Sequence, residues 1–545
     1  MHTVTTVLLL LLAVVVTASL SRMLPVAIPR PLVQIAFGAA IGLVAPLRVD
    51  LDPELFFLLF LPPLLFLDGW RIPKDELARD RGAVLELALG LVVFTVLGMG
   101  LLIHWIIPAM PLGVAFALAA VLSPTDPIAV SSIARRVPIP KRMMHILEGE
   151  SLLNDASGLV CFRFAVAAVA TGGFSLVDAA LTFVWMAAGG LFIGATVTLA
   201  IMRTKEWIGR RFGEDSGSNI LVSLLIPFAA YLSAEHLGGS GILAAVAAGL
   251  AMSFAEASGQ ALAATRIRRR AVWDMIQFAT NGVVFVLLGE QLPAIVPNAQ
   301  QTVALTGHTS PFWLIGYVVA IALALTTLRF LWAAVSLKLT WYRRWGGTGS
   351  PADQPGLLRL VLAMSCAGAR GAVTLAGILT LPFVLPTGEP FPARDLAIVL
   401  AMGVIVASLV IASVGLPLLL NGLTLPAEPS HADEESLART AAAEAAIARL
   451  EEVQHLMAEG RPDADRYVDI AARLMDLYRL RIDQNSGDDQ VRAREDAAIE
   501  RRMRVAAVRA SREAVWRLLR ERRIGSEIAS KLVQEFDLLE TRYVA

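Results

Sequence analysis

Apolar runs long enough to cross a membrane recur along this chain, and they leave few folds open. Thirteen are found, at residues 4–20, 25–47, 55–70, 83–107, 111–134, 150–172, 178–202, 218–235, 240–255, 274–296, 312–338, 358–384 and 395–421. A spanning helix needs about 20 mostly apolar residues. The third and ninth runs are short, and the fifth and twelfth are interrupted. Only 17% of the residues are charged, where soluble domains carry about a quarter. The expected fold is therefore an all-α polytopic membrane protein. The opening run (TVTTVLLLLLAVVVTASLSRML) has no basic leader, and its Arg22 follows the apolar stretch. It reads as a first membrane helix rather than a cleaved signal.

Charge in the loops tests the count. If alternate loops face the cytoplasm, starting after the first helix, those loops hold 22 Lys and Arg, from Arg22 to Arg359. The opposite loops hold only Arg48 and Arg394. By the positive-inside rule the N-terminus lies outside a cell (inner) membrane and the C-terminus in the cytoplasm. The formal net charge of zero gives no field suited to nucleic acid. The two cysteines, Cys161 and Cys366, lie in apolar runs and form neither a disulfide framework nor a metal spacing. No HExxH, Walker loop or GxGxxG occurs, so neither an enzyme nor a cofactor is expected.

Composition changes near residue 425, which divides the chain into a membrane domain (1–425) and a tail (426–545). Residues 427–545 carry 20 Lys and Arg against 24 Asp and Glu, with Ala-rich helical periodicity. This reads as a soluble cytoplasmic tail of amphipathic helices. The SGDD stretch (486–489) divides it into two halves. A packing or oligomerisation module is the plainer reading of the tail, and ligand sensing the sharper one.

Ionisable residues within a bilayer are costly and mark functional sites. The candidates are Asp68, Asp126, Glu150, Asp155, Arg163, Glu290, Arg329 and Arg370. In GESLLNDASG (149–158), Ser151 and Asp155 are four residues apart and share a helix face, as do Glu150 and Asn154 one step round. N-capping explains one such polar residue at a helix start, not four. Asp126 sits in VLSPTDPIAVSS between Pro124 and Pro127, which break the helical ladder. Freed carbonyls at membrane depth are tolerated where they line a cavity, and they are hard oxygen ligands suited to a small cation. Asp126 would also cap the second half-helix. Arg370, in SCAGARGAVTLAG, cannot shed its charge and needs a partner. Glu150 is the expected one, as a structural ion pair; snorkelling to a surface is the alternative. Asp68 ends FLPPLLFLDGWRIP near a cytoplasmic boundary, where an interfacial cap competes with a site role. Arg163 has no evident partner. Glu290 and Arg329 read as interfacial or structural groups.

Two interrupted helices in two halves of a chain point to a secondary transporter built from inverted repeats. With one extra helix placed at the N-terminus, the repeats would be helices two to seven and eight to thirteen. That scheme sets the sixth helix, bearing Asp155, against the twelfth, bearing Arg370. It leaves the two breaks one position out of step.

SPTDPIAV, then GESLLND about 25 residues later, then GARGAVTLA, together resemble the monovalent cation:proton antiporter family, the Na+/H+ exchangers. LPPLLFLDGWRIPK resembles the bacterial members, and the similarity covers about residues 5–420. The resemblance implies the exchanger fold, with two discontinuous helices, a moving core domain and a dimerisation domain that makes a homodimer. It implies that Asp155 binds cation and proton in turn, with Asn154 as its paired residue. Ser151 and the backbone of Thr125 would be ligands of Na+ or K+, Asp126 the acid of the crossing unwound helix, and Glu150 with Arg370 the ion pair. Electrogenic relatives carry a second Asp at the position of Asn154, so electroneutral exchange is implied here. One departure stands out. Many exchangers read Phe-Glu-Ala-Gly where this chain has Phe66-Leu67-Asp68-Gly69, so the acid is displaced by one residue, about 100° of helix rotation.

The mechanism expected from these residues is antiport by alternating access at Asp155. Two ligands competing for one carboxylate exchange without a separate coupling device. The rivals are a K+-selective antiporter, a cation channel with a regulatory tail, an intramembrane enzyme and an organic-ion carrier. No repeated filter sequence supports the channel. No nucleophile–base pair supports the enzyme, and no aromatic cluster near Asp155 supports the carrier.

Overall fold

The computed structural model describes residues 2–24, 28–44, 53–72, 82, 86–126, 130, 141–171, 176–213, 215–257, 263–304, 310, 312–345, 357–421, 431–459, 463–486 and 490–544. Among these residues every regular element is a helix, apart from one isolated bridge between Val384 and Pro390. The chain forms two compact units, residues 1–424 and 425–545.

The first unit begins with α1 (His2–Met23), α2 (Arg30–Val44) and α3 (Pro53–Arg71). A π-helical turn (Glu86–Leu91) leads into α4 (Val92–Ile106), followed by α5 (Leu112–Leu122), α6 (Lys141–Thr171) and α7 (Leu176–Phe212). Then come α8 (Ser216–His236), α9 (Gly241–Ala257), α10 (Ala263–Ala304), α11 (Phe312–Trp345), the short α12 (Leu357–Cys366) and α13 (Ala372–Leu379), and α14 (Arg394–Leu420). Eight helical stretches among the described residues are long and apolar enough to cross a membrane. Arg30–Val44, Leu112–Leu122 and Gly241–Glu256 are shorter apolar helices. Several helices run past their apolar cores: α7 continues through Arg203–Arg211, and α10 begins before Arg266–Arg270, all of which the sequence reading placed in loops. Arg269 is buried and pairs with Glu256 at 2.6 Å.

The helices pack as two bundles. In one, α2 lies on α10, α3 on α9, and α1, α7 and α8 flank these pairs. In the other, α5 packs between α4 and α6, while α11, α12 and α13 pack on α14. Contact between the bundles runs chiefly along α10 against α14.

Close backbone approaches set the internal register. Gly38 abuts the Val286 carbonyl and the Glu290 amide; Gly249 abuts the Phe66 carbonyl and the Trp70 amide. Gly289 abuts Ile35 and Ala39; Gly69 abuts Val246 and Leu250. Under one constant shift 35, 38 and 39 of α2 map onto 246, 249 and 250 of α9. Under another, 66, 69 and 70 of α3 map onto 286, 289 and 290 of α10. The crossing of α2 on α10 therefore repeats as α9 on α3. Likewise α1 borders α2 and α10 as α8 borders α9 and α3. This corrects the repeat boundaries expected from sequence. The repeats are α1–α6 and α8–α14, the extra helix is α7 in the middle, and both interrupted helices are fifth in their repeat. Placing the extra helix at the N-terminus caused the mismatch.

The second unit contains α15 (His431–Ala458), α16 (Ala464–Ser486), α17 (Gln490–Arg520) and α18 (Ser526–Val544). Here α15 packs on α16 and α17 on α18. Most of SGDD, residues 487–489, lies outside the described residues. Arg509 bonds Glu540 at 2.7 Å, and Arg512 bonds Asp537 at 2.6 Å and Glu540 at 2.7 Å, lacing α17 to α18.

Candidate functional site

The site is built where two helices stop short. α5 ends at Leu122, and Ser123 to Asp126 continue without helical structure. Residues 127–129 and 131–140, which hold most of the expected second half-helix, lie outside the described residues. α12 ends at Cys366, residues 367–371 are irregular, and α13 starts at Ala372. The two irregular stretches meet: the Asp126 amide donates to the Ala369 carbonyl at 2.7 Å. A Cβ on Gly371 would run into the Asp126 carboxylate, so this crossing requires glycine. It brings Asp126 to the first turn of α13, where the positive end of a helix favours an acid.

Stopping a helix inside a bilayer leaves carbonyls that water cannot reach. Arg370 supplies the missing donors. Its Nε donates to the Leu122 carbonyl at 3.0 Å, its Nη1 to the Gly368 carbonyl at 2.5 Å, and its amide to Ser408 Oγ at 3.0 Å. A cation thus sits at the carbonyl ends of α5 and α12, the favourable polarity for a helix C-terminus. Arg370 is 3% exposed, so it does not snorkel.

The expected Glu150–Arg370 ion pair is not formed. Glu150 pairs with Arg329 of α11, whose Nη1 and Nη2 reach its two carboxylate oxygens at 2.5 and 2.7 Å. Arg329 Nε donates to the Met364 carbonyl at 3.0 Å. Both side chains are almost wholly buried, at 1% and 5% exposure. A planar fork matched to a carboxylate is the geometry in which a buried pair best offsets its desolvation. Arg329, read from sequence as interfacial or structural, is therefore a central brace. Its signal was present: it lies well inside the apolar run 312–338 and so needed an acid. Sequence alone could not say which of three intramembrane arginines, Arg163, Arg329 or Arg370, Glu150 would take.

From this pair a buried polar chain leads toward Asp155. Thr125 Oγ1 donates to Glu150 Oε1 at 3.3 Å and accepts from Asn154 Nδ2 at 3.2 Å. Asn154 Oδ1 is buried and has no hydrogen-bond partner among the described residues. Ser151 and Asp155, one turn apart on α6, are both buried, Asp155 at 6% exposure. Among the described residues Asp155 has neither a hydrogen-bond nor an ion-pair partner. Asp126 and Asp68 are both near enough to act on it electrostatically.

Asp68 reaches this region from α3, held by the crossing in which Gly69 abuts the Val246 carbonyl. The displaced acid thus stays within electrostatic reach of Asp155 and Asp126. Arg163, one helix face away on α6, bonds Glu235 of α8 at 3.0 Å. Glu290 is buried in α10 and engaged in interactions of its own, in the other bundle from Asp155. The crossing therefore gathers Asp155, Asn154, Ser151, Thr125, Asp126 and Asp68, with Glu150 and Arg329 behind them. It offers hydroxyl, amide and carboxylate oxygens, the donor set of a hard cation.

The family model described as sodium/hydrogen exchanger, transmembrane, matches residues 9–422. The chain is 40% identical over 541 residues, 98% of both chains, to the Escherichia coli protein named "Uncharacterized Na(+)/H(+) exchanger YjcE". It is 39% identical over 545 residues to the "Sodium, potassium, lithium and rubidium/H(+) antiporter" of Bacillus subtilis, covering 98% of this chain and 78% of that one. Among solved structures, the sodium proton antiporter MjNhaP1 from Methanocaldococcus jannaschii superposes with a TM-score of 0.59 at 18% identity, over 78% of this chain and 99% of that one. The family match over the whole membrane unit, together with the length of these alignments, shows that the chain belongs to the sodium/hydrogen exchanger family.

Proposed function

We propose that this protein exchanges Na+ or K+ for H+ across a cell membrane at the single carboxylate of Asp155. The observation that carries the reading is a buried Asp155 without a counter-ion among the described residues, beside a network in which Glu150 pairs with Arg329. Arg329 is neutralised by Glu150 and held by Met364; Arg370 is engaged by backbone carbonyls. Neither arginine is left to hold Asp155 as a permanent ion pair. Its charge must then be met by a transported cation or a proton, one excluding the other.

Ser151 Oγ, Asn154 Oδ1 and the peptide oxygens near Thr125 are the expected co-ligands. Asn154 Oδ1 supports this, since a buried acceptor without a donor is costly until something fills it. Because Asn154 is neutral, one acid titrates against one monovalent cation, and the exchange is electroneutral. Asp126 and Asp68 add negative potential that draws cations to the crossing. The B. subtilis relative's name covers sodium, potassium, lithium and rubidium, which supports a site tolerant of alkali-ion size.

Alternating access would come from the α4–α6/α11–α14 bundle rocking against the other. The charge asymmetry of the loops supports an outside N-terminus, with residues 426–545 a cytoplasmic helical tail. A homodimer formed through the α1–α3/α7–α10 bundle completes the reading.

The test is reconstitution in vesicles with an internal pH dye, adding Na+, K+ and Li+ in turn with the membrane potential clamped. Cation-driven pH change that ignores voltage and disappears in Asp155→Asn is the expected result. Voltage-driven cation flux without proton movement would make the protein a channel.

A further inference from the structure

Arg163 and Glu235 belong to different bundles. Arg163 is on α6, which packs mainly on α5 and the π-helical turn and makes smaller contacts with α4 and α13 of its own bundle and with α3 and α9 of the other; Glu235 is on α8, which packs with α3, α7, α9 and α10. Their ion pair, at 3.0 Å, therefore ties together the two bodies that must move apart.

Its depth is informative. Arg163 lies eight residues beyond Asp155 on α6, about 12 Å along the helix axis, in the direction away from the Arg-rich loop that precedes α6. Glu235 is in the last turn of α8, beside the Leu237–Ser240 connection. The pair thus lies on the side of Asp155 away from the Arg-rich loops.

Glu235 has a second partner, within its own bundle. Its Oε1 also accepts the Gly241 amide at 3.1 Å, in the first turn of α9. That amide belongs to the positive end of a helix, which favours the carboxylate. Glu235 is fixed to its own bundle, and Arg163 is the long, flexible partner that reaches across. The repeat register adds a contrast. It maps α8 onto α1 and α6 onto α14, so the symmetry-related contact on the opposite side would join α14 to α1. Among the described residues no ion pair joins those two helices.

We propose that Arg163 and Glu235 form the outer closure of the transport cycle, an ion pair that holds the bundles together on the outer side and must break before Asp155 opens outward. This rests on the exchanger reading above. An ion pair made in only one of two states shifts the balance between them by its own strength and no more. Both side chains are partly exposed, at 40% and 31%, so the shift is modest.

The experiment is a double-mutant cycle with the full chain in oriented vesicles, measuring apparent Na+ affinity separately from each face. Glu235→Gln keeps an oxygen for the Gly241 amide while removing the charge; Arg163→Gln removes the other partner. Each single variant is expected to raise the outer-to-inner affinity ratio by up to about fivefold. The double variant is expected to do no more than either single one. A residue that only supports folding would lower the yield and leave this ratio unmoved. Unchanged ratios, or single effects that add independently, would overturn the closure. Absence of cation-driven proton flux in the unaltered chain would instead overturn the exchanger reading, and the closure with it.

A second measurement covers variants that fold poorly. Arg163→Cys with Glu235→Cys, in a background lacking Cys161 and Cys366, would be bridged by a short bifunctional thiol reagent. Arrested exchange is expected. Full exchange at complete cross-linking would overturn the proposal.

Discussion

Arginine meets carboxylate at the helix crossing and again in the C-terminal hairpin, under opposite conditions. At the helix crossing, Arg329 and Glu150 meet in a fork that is almost fully buried. Between α17 and α18, Arg509, Arg512, Asp537 and Glu540 make contacts of similar length in a partly exposed setting. The chemistry is the same and the consequences differ. Stranding one partner of a buried pair costs about 3–5 kcal/mol, because the survivor has no water. Stranding a partner in the tail returns it to solvent, where ion pairs contribute little and salt screens them. The crossing uses charge to make a helix break tolerable in hydrocarbon; the tail uses it to align two helices.

The largest effect should come from Asp155, a buried acid at the crossing with no ion-pair partner among the described residues. Asp155→Asn is expected to reduce cation-driven proton flux to that of empty vesicles while the protein still elutes as a single folded species. Persisting exchange would mean the unpaired acid is not the exchanging group.

Next is the brace. Arg329→Gln or Glu150→Ala should lose about 3–5 kcal/mol of stability, read as lost monodisperse yield in detergent. Replacing both with apolar residues, Glu150→Leu with Arg329→Met, should recover much of it. A double variant no better than the single ones would show that the pair matters through contacts other than its charges. Arg370→Met leaves the Leu122 and Gly368 carbonyls without donors, at about 1–3 kcal/mol for each unsatisfied group; thermal stability in detergent measures the loss.

A smaller effect is expected at Gly371→Ala, which drives a methyl group into the Asp126 carboxylate. Overpacking of this kind costs about 1–3 kcal/mol. Transport should fall further than stability, because the crossing itself is displaced. Equal transport at reduced stability would separate the crossing's geometry from its function.

The smallest effect belongs to the tail. The Arg509 hydrogen bond, backed by Arg512, holds the Glu540 carboxyl below the ordinary glutamate range. A depressed carboxyl stabilises the folded hairpin fully above its unfolded value, and that contribution is lost as pH falls through the lower folded value. Amide protection factors over Ser526–Val544, corrected for the intrinsic pH dependence of exchange, should therefore fall only on strong acidification, and high salt at neutral pH should mimic part of the change. Insensitivity to both would remove Glu540 from any role in aligning α17 and α18.

Much of this organisation is legible in the sequence because hydrocarbon is an unforgiving solvent. Among the described residues the apolar runs fall mostly on helices, and Pro124 and the glycines around Arg370 lie at the two breaks. The Ser151–Asn154–Asp155 constellation lies at the crossing because i and i+4 spacing fixes a helix face whatever the tertiary context. What stayed hidden depends on distance between segments far apart in sequence. Arg329 and Arg370 are both intramembrane guanidiniums, and only three dimensions show that one meets Glu150 while the other caps two helix ends. Arg269 looks like a loop charge until Glu256 is seen beside it. The repeat boundaries required the glycine contacts of α2, α3, α9 and α10, which no periodicity within one helix reveals.

The central claim is that cation and proton share one carboxylate, and proton release on binding tests it most directly. Na+ or K+ would be titrated into purified protein by calorimetry at fixed pH, in buffers of different ionisation enthalpy. Near a pH where Asp155 is protonated, the account predicts about one proton released per cation bound, and no such release from Asp155→Asn. Cation binding with no proton released, or with release that survives Asp155→Asn, would contradict it.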